Sequence, residues 1–240
     1  MAPLTIDQLY AGLGWYGKLS SAGDFVHRRV DRQLIQFWHT WISHSCLSLK
    51  NNTGLAWSTQ YLQAPIWNFV IPASLSPDGQ TWQLGAIAPS QDRVGRLYPL
   101  LIVLALPAQS YNKQMLAGSH RYLSSVGQLL RQATQLRCSV PQFEAELGDR
   151  LSSLAPLLHQ EAAVPVRAHD ILDILNAGHS QAPLASLPNE TLSWPDLEQV
   201  FHPYGTHSYW WTNRACGAAH RALTHAGSLS PILFNRLFSL

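Results

Sequence analysis

The chain has 240 residues, enough to bury a sizeable core, and 16 basic against 14 acidic side chains leave a formal charge of +2. That balance is too small for a nucleic-acid surface, and no lysine-rich block offers one. Charged residues make up only 12% of the chain, against about 25% in an ordinary soluble domain, so nine tryptophans can leave aromatic area free for a partner protein.

Met1–Ala11 reads as a short lead-in, and Trp15 and Tyr16 as the close of a strand. Gly17 and Gly23 then frame a polar stretch, Lys18 to Asp24, that reads as a tight loop because glycine takes backbone conformations closed to other residues. From Asp31, a helix start signal, Leu34, Ile35, Trp38, Trp41, Ile42 and Ser45 share one face at the helical period. Asn51–Gly54 breaks that helix, and Leu55–Leu62 forms a short helical turn before Pro65. Trp67–Leu75 and Thr81–Ala88 read as a β-hairpin joined by the turn Ser76-Pro77-Asp78-Gly79. After a second polar loop, Pro89–Leu97, the unbroken apolar run Tyr98–Leu106 has the character of a central strand covered on both faces.

Tyr111–Arg137 predicts a long helix weakened by Gly118 and Gly127, and Pro141 starts another in which Phe143, Leu147 and Leu151 recur at helical spacing, so that the two lie side by side. A shorter helix is expected at Ala168–Leu175, then a Pro- and Ser-rich surface connection, Ser180–Pro203, pinned by Trp194 and Leu197. Thr206–Thr212 reads as a strand, and Ala215–His225 and Pro231–Leu240 as helices. These elements suit one compact α/β domain over residues 1–240 with covered sheet layers. Three cysteines without a CxxC pair suit a reducing compartment, and neither a signal-peptide pattern nor a membrane span is evident, so the expected location is the cytoplasm.

Four chemistries compete for the two polar loops. Gly14-Trp15-Tyr16-Gly17-Lys18 is too short for a nucleotide-binding loop, and Leu19 supplies no hydroxyl for magnesium. Asp24 and His27, three apart, would share a helical face and could join Asp92 and His207 in a metal site, or in a small hydrolase or ligand-binding enzyme. Against that, Asp24 suits a helix cap or an ion pair with Arg28, and no G-x-S-x-G elbow accompanies any serine. The remaining reading is structural and recognitive. Lys18, Asp24, His27 and Arg28 face Asp92, Arg93 and Arg96 with complementary charge, so Asp24 with Arg96, or Asp92 with Arg28, can brace the loops, and the same groups can orient a partner. Trp15 and Trp211 are the candidate aromatic surface beside them.

Gly14-Trp15-Tyr16-Gly17-Lys18-Leu19 running into Gly23-Asp24-Phe25-Val26, then Val94-Gly95-Arg96-Leu97-Tyr98-Pro99-Leu100 and Trp210-Trp211-Thr212, resemble the TagF family of type VI secretion system-associated proteins of Gram-negative bacteria. Ser20 stands where that family usually has proline. The resemblance implies a three-layer α/β/α sandwich with a mixed central sheet that includes the antiparallel hairpin. It implies a non-enzymatic negative regulator of secretion-system assembly, acting after translation by binding a forkhead-associated scaffold protein. No cofactor, metal, nucleic acid or membrane insertion is implied.

Overall fold

The computed structural model describes residues 5–53, 57–135, 138–150, 192 and 194–239. Among them are seven strands: β1 (Leu13–Gly17), β2 (Val26–Arg28), β3 (Trp67–Ile71), β4 (Thr81–Ala88), β5 (Leu100–Pro107), β6 (His207–Thr212) and β7 (Ala222–Ala226). They form one sheet in the order β2-β1-β5-β4-β3-β6-β7. Every pairing is antiparallel, so the expected hairpin extends across a sheet that a mixed arrangement had been expected to fill.

Period-two alternation sends the apolar residues of the strands to two separate cores. Leu13, Trp15, Leu84, Ala86, Ile102, Leu104 and Trp211 face one side, where α1 (Ile6–Gly12), α4 (Lys113–Ala117), α5 (His120–Gln135) and α6 (Val140–Arg150) lie. Tyr16, Trp67, Phe69, Ile87, Leu101, Val103 and Trp210 face the other, beneath α2 (Arg32–Thr53), α3 (Trp57–Gln63) and the C-terminal helix. The three-layer α/β/α sandwich is therefore present. On the second face, Trp38 sits 5.0 Å from Phe69, Phe69 5.3 Å from Trp210 and Trp41 5.5 Å from Phe234, as ring centroids. Such pairs add about 0.5–1.5 kcal/mol each beyond the area they bury.

Local chemistry explains the helix starts. The Asp31 carboxylate accepts from the Leu34 N–H at 2.9 Å to open α2, and α5 packs on α6 as expected. A four-residue helix, α7 (Leu197–Val200), seats buried Leu197 against α4, while Trp194 packs 5.6 Å from Tyr209, so both expected pins hold. The last helix, α8 (Pro231–Phe238), has Pro231 in its first turn and Ser230 as its cap.

Several sequence expectations are corrected. The lead-in is the helix α1, opened by a reciprocal capping box between Thr5 and Gln8. The strand expected to reach Leu75 stops at Ile71 and gives way to a 3-10 turn, Ala73–Leu75. Gly118 divides the expected long helix into α4 and α5, whereas Gly127 stays within α5, at a position where a Cβ would overlap the Asn213 carboxamide. That carboxamide donates from Nδ2 to Asn68 Oδ1 at 2.6 Å and to the Leu123 carbonyl at 2.7 Å. Ala215–His225 is not a helix: Gly217 at φ 68° ends a short 3-10 turn, and β7 then pairs with β6, with Leu223 opposite Trp210. Backbone pairing at the open edge of β6 outweighs the helical propensity of the alanines. The helix expected at Ala168–Leu175 and most of the connection Ser180–Pro203 lie outside the described residues.

Candidate functional site: two braced loops

The loop after β1 and the loop between β4 and β5 meet because β1 and β5 are neighbours, with Gly17 opposite Leu100. Gly17 has φ 141°, and a Cβ there would strike the Pro99 carbonyl, so glycine is required where the first loop leaves the sheet. Backbone and hydroxyl bonds then tie the loops together. Lys18 N–H donates to the Pro99 carbonyl, Arg93 N–H to the Ala22 carbonyl at 2.9 Å, and Ser90 Oγ to the Lys18 carbonyl at 2.8 Å.

The centre of the brace is Asp92, whose side chain is fully buried. Lys18 Nζ donates to its Oδ2 at 2.9 Å, and Arg96 Nε donates to the same oxygen at 2.6 Å. Its Oδ1 accepts the Val94 and Arg96 N–H groups at 3.1 and 2.8 Å. Burial alone raises a carboxyl pKa, but the bonds from Lys18 and Arg96 outweigh it and hold Asp92 well below the ordinary value. Of the expected braces, Asp24 does approach Arg96, at 3.7 Å, but that pair is solvent-exposed, and Asp92 pairs with Lys18 and Arg96, not with Arg28.

These loops are strand and turn, not a helix entry. Asp24 precedes β2, so it caps no helix, and it does not share a helical face with His27. Asp24, His27, Arg28, Arg93 and Arg96 are all exposed, and with them Phe25 and Val94. Asp92 points inward with both oxygens occupied, so no acid–base or ligand set forms from Asp24, His27 and Asp92. Among the described residues no group of three or more His, Cys, Asp or Glu could hold a metal ion.

Trp15 and Trp211 are not surface aromatics; both are completely buried on the helical face that carries α5 and α6. Trp15 packs edge-on to Phe143 at 4.8 Å and donates its indole N–H to Glu144 Oε2 at 2.5 Å. Glu144 also pairs with Arg29, whose Nε donates to the Leu13 carbonyl at 2.8 Å and whose guanidinium stands 4.6 Å from the Tyr10 ring centroid. Sequence reasoning missed this second brace. Arg29 reads only as part of a basic run, and its left-handed backbone, φ 51°, has no local signal.

A further cluster lies under Phe25. Tyr16 Oη lies 2.7 Å from His39 Nδ1, and Tyr98 Oη donates to Tyr16 Oη at 3.2 Å. Phe25 stacks on Tyr16 at 5.8 Å and meets Tyr98 edge-on at 4.7 Å, with Lys18 Nζ 5.2 Å from its centroid. Burial pushes the Tyr98 hydroxyl pKa up, reinforced by its bond to Tyr16. The exposed outer side of the loops thus rests on an aromatic floor as well as an ion pair.

Residues 14–149 match a family described as TagF N-terminal domain, Type VI secretion system-associated. The crystal structure of PA0076 from Pseudomonas aeruginosa PAO1, at 2.05 Å resolution, is similar with a TM-score of 0.66 and 26% identity, covering 95% of this chain and 94% of that one. No curated protein matches.

Proposed function

The chain belongs to the TagF N-terminal-domain family, and on that premise we propose that it is a non-enzymatic negative regulator of type VI secretion. In this reading it acts in the cytoplasm, as one unit over residues 1–240, by binding a forkhead-associated scaffold protein after both have been synthesised. The observation that carries the reading is the family match across 14–149, which includes both braced loops. No helix among the described residues is long and apolar enough to cross a membrane.

The face offered to the scaffold is the outer side of those loops. Arg93 and Arg96 lie beside the loop that carries exposed Phe25, 43% accessible, with Asp24 as the acidic member, and Val94, 67% accessible, stands between the two arginines in sequence. Arg28, opposite Trp15 in the strand register, belongs to the other side of the sheet. Charged groups of this kind set orientation and association rate, while the apolar pair supplies contact area. Lys18 and Asp92 serve the same face from below by holding its backbone in one conformation. Pull-down of the scaffold by wild-type chain, Arg93→Glu and Asp24→Ala tests this. Scaffold capture that falls at least about five-fold on Arg93→Glu, with an unchanged unfolding midpoint, supports recognition through the loops. Absence of capture by the wild-type chain overturns it. The hydrolase alternative is not favoured, because Asp92 is committed to Lys18 and Arg96.

A further inference from the structure

Helix α2 has two working faces. One packs on the sheet through Trp38 and Ile42. The other, with Arg32, Phe37, Trp41 and His44, forms one wall of a groove of about 760 Å³, and Leu229, ahead of α8, and Pro231, its first residue, form the opposite wall. Trp41 is fixed as part of that wall, since its indole N–H donates to the Ser230 carbonyl at 2.9 Å. Positions 33, 36, 37, 40, 41 and 44 all line the groove, which therefore follows α2 for about 16 Å at 1.5 Å per residue.

The charge of the groove is one-sided. Arg32 and His44 stand near its two ends and no carboxylate lines it. The acids nearest in sequence are engaged elsewhere: Asp31 caps α2, and Asp78, beside Pro77, accepts from the Gln80 and Thr81 N–H groups. Arg32 has no ion-pair partner among the described residues.

We propose that this groove docks an amphipathic helix of a partner protein. Its apolar stripe lies along Phe37, Trp41 and Leu229, and its acidic residues meet Arg32 and His44. The shape favours a helix, since about three turns span the groove and its open side admits a rod lengthwise. A compact small molecule would leave much of that length uncovered. Nor is a second copy favoured, because an isologous contact would turn the same acid-poor face on itself. The inference rests on reading the chain as a binding protein, and it concerns a surface separate from the loop face.

The test uses the full chain and two fluorescein-labelled, alanine-rich helical peptides of about fourteen residues, four turns at 3.6 residues per turn. Both carry leucines at i, i+3, i+4 and i+7; one has glutamates at its ends and the other lysines. By fluorescence anisotropy the glutamate peptide binds at least about five-fold more tightly. Arg32→Glu inverts or abolishes that preference. Thr40→Glu, an exposed change in mid-groove, weakens the glutamate peptide without moving the unfolding midpoint. Equal or absent binding of the two peptides overturns the proposal, as does a preference indifferent to Arg32→Glu. Self-association lost on Thr40→Glu, or saturable binding of decanoate in place of peptide, also overturns it. Scaffold capture, read in parallel, separates the two readings: peptide binding without capture supports the groove and refutes the scaffold reading, and capture without peptide binding does the reverse.

Discussion

Replacing Asp92 by alanine probes the brace most directly. The carboxylate accepts four hydrogen bonds, two of them from cations, and its side chain is fully buried while that of Lys18 is 8% exposed. Asp92→Ala therefore strands a buried ammonium and frees two backbone donors. Breaking one side of a buried pair costs about 3–5 kcal/mol, a large share of the roughly 5–15 kcal/mol by which a native chain is stable. For a chain of this length that lowers the melting temperature by roughly 6–20 °C, at about 2–4 °C per kcal/mol. Urea unfolding followed by circular dichroism measures the loss. If the stranded Lys18 is its main source, the double variant Lys18→Met with Asp92→Ala is more stable than Asp92→Ala alone. An Asp92→Ala protein within about 1 kcal/mol of wild type, or a double variant no better than the single, refutes the reasoning.

Other outcomes follow from the same geometry. Because the folded pKa of Asp92 is depressed, its contribution is complete above the unfolded value and is lost as pH falls, so wild-type stability declines below about pH 4–5 and Asp92→Ala declines less steeply; parallel slopes would contradict this. Asp24→Ala leaves the urea midpoint unchanged, since its carboxylate is 98% exposed. Gly127→Ala forces the Asn213 carboxamide aside and costs about 1–3 kcal/mol, and a following Asn213→Ala recovers part of that loss by thermal melt. Burial pushes the Cys46 thiol up to about 12, against a smaller opposing effect of Lys18, so Cys46 resists alkylation at neutral pH in the folded chain and reacts in urea, as peptide mapping would show.

What could be read from the residues was local. The β3–β4 hairpin follows from a Pro-Asp-Gly turn between β-rich runs, α2 from Asp31 and a helical stripe, and the central strand β5 from its unbroken apolar run. Long-range partners carry no such mark. The polar loops were recognisable as complementary, yet choosing Lys18 for Asp92, 74 residues apart, requires knowing that β1 lies beside β5. Trp15 and Trp211 looked available because a low charge content leaves aromatic surface to spare. Both instead follow strand alternation into the core, beside Phe143 and Trp194 respectively. The end of the chain misled for a related reason: Ala222–Ala226 is composed like a helix, and its strand identity comes from its partner β6.

The placement of β6 bears on how the molecule can be cut and how it emerges during synthesis. Five strands are complete by residue 107, but one flank of β3 remains an unzipped seam until residues 207–212 arrive. Until then Trp67 and Phe69 lack Trp210 and α8 above them, and a raw peptide edge is open to any passing strand. A fragment trimmed to 14–149, the span by which the family is recognised, would keep that seam permanently, so it should self-associate more readily than the full chain. The limits of the family signature are thus not the limits of the folding unit: its last strands act as a zip closed from the far end of the chain.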